Sequence, residues 1–220
     1  MSRHTVAMGA LEPDYESDPG RWRAWTAPSD VQDVIGPELT GRVLDVGCGE
    51  GRLAAQLTTA ASWVGLDSSR NQLVECAYRP VVLGDMRTLP FASGAFDAVT
   101  HLWCLYHLAD PLEAIAEADR TLRSGGRYYA CTSARANDPE LAPEGYAPTT
   151  FDAEDALAIV RTVFSQAEAE SWDDTFFPLE TREDVRNYCR HHHLPLERAD
   201  PVDLPLWLTK RGVMIRATKS

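Results

Sequence analysis

Apolar and polar positions change period repeatedly along the chain, and the changes mark its elements. Arg42–Val46, Trp63–Leu66, Pro80–Leu83 and Ala95–Thr100 are short apolar runs of strand length, bounded by turn residues. Leu53, Ala54 and Leu57, and later Leu73, Val74 and Ala77, fall at helical spacing between them. Ser68 or Ser69 is placed to cap the second of these helices. A better delimited helix opens at Asp110 and Pro111, with Glu113 three residues after the cap and Leu112, Ile115, Ala116 and Leu122 on one face. Gly125 and Gly126 predict its end. Arg127–Thr132 then reads as a fifth strand, Asp152–Phe164 as an amphipathic helix, and Gln166–Trp172 as a strand. Thr181–His192 reads as a helix and Gly212–Thr218 as the closing strand. Strands alternating with helices predict an α/β fold, a mostly parallel sheet with helices on both faces.

The first 40 residues follow neither period, and Ser133–Thr150 reads as a loop because it holds three prolines and a glycine. No repeat or low-complexity linker divides the chain, so a single domain over 1–220 is expected. Residues 1–40 and the 133–150 loop are expected to form a lid, 41–132 the binding core, and 133–220 the completion of the sheet.

Composition changes this picture mainly by exclusion. The 220 residues are 44% hydrophobic and 25% charged, which suits one full core. Twenty-one basic residues face 33 acidic ones for a net charge of −12, the wrong sign for following a phosphate backbone or an anionic membrane. Apolar runs stop short of the roughly 18 residues that span a bilayer, and no signal-peptide core opens the chain. The five cysteines form no C-x-x-C pair and are odd in number, which points to reduced thiols in a cytoplasmic protein. Neither nucleic acid nor membrane is an expected partner.

The chemistry concentrates in Val43-Leu44-Asp45-Val46-Gly47-Cys48-Gly49-Glu50-Gly51. A strand ending in Gly-x-Gly-x-Gly lets a ligand approach the backbone where no Cβ intrudes. Asp67 ends the next strand about 20 residues on, where a carboxylate can accept both hydroxyls of a ribose. Asp85 and Met86 end the third strand, an acid beside an apolar side chain, and Phe96-Asp97-Ala98-Val99 lies on the fourth.

This series resembles the class I S-adenosylmethionine-dependent methyltransferases, strongly over 42–132 and more loosely to Thr218. The resemblance implies a Rossmann-like sheet of seven strands with an antiparallel last strand. It also implies S-adenosyl-L-methionine as cofactor and S-adenosyl-L-homocysteine as product. By that likeness Asp45, Gly47, Gly49 and Gly51 surround the methionine part, Asp67 binds the ribose, Asp85 and Met86 flank the adenine, and Cys48 and Ser68 are also cofactor-binding. His101 and Leu102, just after the fourth strand, would offer backbone contacts to the amino-acid end. The stretch from Leu105 to Pro111 is similar to the small-molecule branch of the family. A nicotinamide dehydrogenase would need G-x-G-x-x-G, but Arg52 stands where its third glycine belongs.

The expected reaction is methyl transfer to an oxygen or nitrogen of a small-molecule acceptor; a non-catalytic cofactor-binding module is the alternative. A sulfonium is already a reactive methyl donor, so alignment does most of the work, and a held proton needs a base. His107 is the expected base; Tyr106, Tyr15 and Trp25 are expected acceptor contacts. His191-His192-His193 reads as an exposed helix end rather than a metal site, since neighbouring helical residues point about 100° apart. No metal is expected.

Overall fold

The computed structural model describes residues 31–220. Tyr15 and Trp25, and most of the expected N-terminal lid, lie outside the described residues. Among the described residues seven strands run β1 Gly41–Val46, β2 Ala61–Asp67, β3 Val81–Leu83, β4 Phe96–Leu102, β5 Leu122–Ser133, β6 Glu168–Leu179 and β7 Leu206–Thr218. The α-helices among the described residues are α1 Val31–Ile35, α2 Arg70–Glu75, α3 Leu112–Thr121, α4 Ala153–Arg161 and α5 Arg182–His191. The sheet order is β3-β2-β1-β4-β5-β7-β6. Strands β1 to β5 pair in parallel, and β7 enters antiparallel between β5 and β6. The expected Rossmann-like sheet with an antiparallel last strand is therefore present.

Parallel strands buried on both faces read as continuous apolar runs, and the two faces divide the core accordingly. Leu44, Val46, Val99, Tyr128, Ala130 and Ile215 pack with α3 and α4 on one face. Val43, Trp63, Ala98, Tyr129 and Met214 pack on the other, with α1 and α2. A third, smaller cluster joins Leu141, Leu179, Val185, Tyr188, Leu206 and Leu208. It forms a cap built from the segment after β5, α5 and the meeting ends of β6 and β7.

Three local expectations are corrected. The helix expected after the glycine turn is only a 3-10 turn at Ala54–Gln56, because Gly51 sits at φ 83°, outside helical space. The helix opening at Asp110 begins at Leu112, whose N–H donates to the Asp110 carboxylate at 2.9 Å, and it ends at Thr121. Gly125 and Gly126 stand instead inside the irregular start of β5, where a Cβ on Gly126 would lie 2.8 Å from the Arg123 carbonyl. The 133–150 segment is an anchored part of the cap rather than a free lid: Asn137, Asp138, Leu141 and Ala142 are buried.

Ser69, not Ser68, caps α2, accepting from the Gln72 N–H at 3.3 Å. Thr181 and Asp184 cap α5 reciprocally, a capping box worth about 1 kcal/mol. No helix among the described residues is long and apolar enough to cross a membrane.

Candidate active site

In open α/β sheets ligands bind beyond the carboxyl ends of the strands. Here that edge is made by the turn after β1, the end of β2 and the turn after β4. Gly47, Gly49 and Gly51 all have positive φ, which favours glycine, but for different surroundings. A Cβ on Gly47 would lie 2.7 Å from that of Cys104, and one on Gly51 2.7 Å from the Cys76 sulfur. These two glycines let buried thiols fill the space under the turn. Among the described residues a Cβ on Gly49 would meet nothing nearer than Gln72 Oε1 at 3.5 Å, so of the three glycines it is the one with open space beside it.

Asp67 is the second element of the site. Its Oδ2 accepts from the Gly49 N–H and its Oδ1 from the Ser69 N–H, both at 2.8 Å. Burial raises its pKa, and the backbone amides of Ser69, Gly49 and Ser68 oppose that rise. The carboxylate thus ties the β1 turn to the β2 end using backbone donors alone. Each carboxylate oxygen has about two acceptor positions, so acceptor capacity remains beside these amides. An open glycine crest beside such a carboxylate fits the ribose and methionine parts of S-adenosylmethionine.

The remaining expected contacts divide. Asp45 does not face an open surface: it is buried, accepting from Thr100 Oγ1 at 2.8 Å and Trp63 Nε1 at 3.3 Å. Burial, the largest effect, pushes its pKa up to about 6, against those two hydrogen bonds. It binds β1 to β2 and β4, and Gly65 makes room, since a Cβ there would lie 2.4 Å from the Trp63 ring. Cys48 is buried beside the same glycine, its thiol pushed far up by burial. Asp85 is held in a forked ion pair by Arg87, with Nη2 2.6 Å from Oδ2, and this lowers its pKa. Met86 is buried in the core.

His101 and Leu102 are not beyond the fourth strand. They pair with Ala130 and Cys131 within the ladder, so the first residue past it is Trp103. The His101 side chain is buried on the face opposite Asp45, with Nδ1 3.0 Å from Tyr128 Oη and Nε2 without a partner. Burial holds it down to about pKa 3, a neutral ring. Asp97 belongs to the far edge, where it accepts from the Arg42 N–H and pairs with Arg123.

His107 closes a 3-10 turn at Leu105–His107 on the carboxyl edge and is exposed, its ring 4.6 Å from that of half-buried Tyr106. Of the triple histidine at the α5 end only His193 is exposed, while His191 and His192 are partly buried. His192 stacks on Tyr188 with ring centroids 4.2 Å apart, and burial, then Lys210, hold its pKa well below the usual histidine range. Among the described residues no group of three or more His, Cys, Asp or Glu is arranged to hold a metal ion.

Residues 44–130 match the family model described as "Methyltransferase domain". A protein of 37.1 kDa in a transposon of Streptomyces fradiae is 42% identical over 111 residues, 45% of this chain and 32% of its own length. Demethylmenaquinone methyltransferase of Mycolicibacterium paratuberculosis is 36% identical over 115 residues, 51% of this chain and 49% of its own. The chain thus spans half or less of the length of these curated relatives. A solved S-adenosylmethionine-dependent methyltransferase from Archaeoglobus fulgidus shares the fold with TM-score 0.57 at 17% identity, over 84% of this chain and 89% of that one. Residues 44–130 thus match a methyltransferase-domain model, and the chain shares the fold of this solved methyltransferase.

Proposed function

We propose that this protein transfers a methyl group from S-adenosylmethionine to an oxygen or nitrogen atom of a small-molecule acceptor. The observation that carries the reading is the open Gly49 crest beside Asp67, a carboxylate fixed by backbone donors with acceptor capacity to spare. The cofactor supplies an activated methyl group. Gly49 admits the methionine tail, Asp67 accepts the ribose hydroxyls, and Asp85 stands near the adenine. Asp45, Trp63 and Thr100 hold the turn from beneath. His107, exposed on the same edge, takes the acceptor's proton where one is held, and Tyr106 borders the acceptor.

The test is calorimetry with S-adenosylhomocysteine on the protein and on Gly49→Val, followed by labelled methyl transfer to a panel of hydroxyl and amine acceptors. A branched side chain at the crest should abolish binding; it displaces no described neighbour, and its strained positive φ should lower stability by about 1–2 kcal/mol without unfolding the protein. Normal binding by the folded variant would remove the site from this turn. His107→Ala should lower turnover by about 10²–10⁴ with cofactor affinity unchanged. Full turnover in that variant on a hydroxyl acceptor would remove the base. The name of the Mycolicibacterium relative favours a second reading, a quinone-like ring acceptor. Transfer to a ring substrate with no transfer to hydroxyl or amine acceptors would select it.

A further inference from the structure

Trp103 is the first residue past the β4 ladder, and its φ of 60° is left-handed, a conformation that costs a bulky residue strain. The surrounding structure enforces it. The Trp103 N–H donates to the Cys131 carbonyl at 3.3 Å, and the next residue, Cys104, fills the space beneath Gly47. The strained residue therefore sits one position from the glycine turn. Strain of this kind collects where a site needs a side chain aimed in an unfavourable direction.

A second feature converges on the same spot. Trp172 on β6 lies opposite Gly212 on β7, and a Cβ on Gly212 would lie 2.2 Å from the Trp172 ring. The absent side chain lets the indole lie down across β7 towards β5, whose Thr132 carbonyl is 2.6 Å from the same position. The two indoles meet edge to face, centroids 5.9 Å apart at 72°, and both are only partly buried. Two non-adjacent strands thus each spend a backbone concession, a strained φ and a glycine slot, to build one corner of aromatic surface beside the glycine turn.

We propose that Trp103 and Trp172 form an L-shaped corner that binds a planar aromatic ring of the acceptor, setting its orientation and selecting flat acceptors over saturated ones. A flat ring can lie face-on to one indole and present its edge to the other, both preferred arrangements of aromatic pairs. A saturated ring of equal carbon count is too thick for either. The proposal rests on the methyl-transfer reading for the words acceptor and orientation; the corner itself does not.

The test uses 2-naphthol and its saturated counterpart decahydro-2-naphthol, titrated calorimetrically with and without S-adenosylhomocysteine. Each aromatic contact is worth a factor of about 2 to 10, so the protein should prefer 2-naphthol by about tenfold. Trp172→Leu should erase the preference, leaving S-adenosylhomocysteine affinity unchanged. Trp103→Gly removes the ring and relieves the strain together, and should erase it too. Equal binding of the two probes by the unmodified protein overturns the proposal, as does a preference that survives both variants. If S-adenosylhomocysteine fails to bind while the preference and its loss are seen, the methyl-transfer reading falls and the aromatic corner stands.

Discussion

Two carboxylates, partly buried Asp67 at the sheet edge and fully buried Asp138 in the cap, sit in different company. Asp67 accepts from the backbone amides of Gly49 and Ser69 and adjoins an open glycine crest. Asp138, itself at φ 51°, accepts from Asn137 Nδ2 at 2.8 Å, Tyr146 Oη at 2.9 Å, Tyr188 Oη at 3.0 Å and Lys210 Nζ at 2.6 Å. Backbone donors fix a carboxylate without covering it, and leave it able to receive a ligand. Long side chains converging from three elements cover it completely and make an anchor. Burial alone therefore does not mark a site; the kind of donor and the space beside it do.

The largest effect that could break this contrast is on stability. Asp138→Ala leaves the buried end of Lys210 without its carboxylate and should cost on the order of 3 kcal/mol in denaturant unfolding. Affinity for S-adenosylhomocysteine in the folded fraction should hold. A parallel loss of affinity would mean that the cap and the cofactor site are one unit.

The pH dependence separates two groups on opposite faces of β4 and β1. His101 is held down to about pKa 3, so the folded state binds fewer protons than the unfolded one below about pH 6.5. Its contribution is intact above pH 6.5 and is lost as pH falls, on the order of 2 kcal/mol by pH 5. Asp45 has the opposite sign: with a folded pKa raised to about 6 from 3.8, it binds protons preferentially when folded. Its contribution is full below pH 3.8 and is lost as pH rises to about 6, at most about 3 kcal/mol. Unfolding curves across pH 4–7 should lose the acid-side slope in His101→Phe and the opposing slope in Asp45→Asn. An unchanged profile in Asp45→Asn would return Asp45 to solvent and to the cofactor surface.

Asp67→Asn keeps one acceptor oxygen for the Gly49 amide but removes the charge. Calorimetry should show S-adenosylhomocysteine weakened by about tenfold or more, about 1.4 kcal/mol, with a smaller change in stability. Unchanged affinity would make Asp67 a structural tie like Asp138. The smallest effect belongs to the cap alone: Thr181→Ala opens the α5 capping box and should lower stability by about 1 kcal/mol without touching ligand binding.

The amino-acid sequence by itself determined the α/β class, the parallel core, the glycine turn and Asp67. Each is written in local signals: apolar runs of strand length, residues that tolerate positive φ, and a fixed spacing from one strand end to the next. What it left open is where side chains point and where ladders stop. Extending β4 by two residues, from Thr100 to Leu102, took His101 into the core and put Trp103 at the edge. Asp45 reads like a site acid because its neighbours in sequence form the site, yet Trp63 and Thr100 reach it from adjacent strands. His192 reads as helix-end charge, and Tyr188 stacked beside it makes it part of the cap. Only the tertiary structure decided these, because pairing, burial and the Trp103–Trp172 contact join residues from separate strands and turns. No local period or spacing encodes which of them will meet.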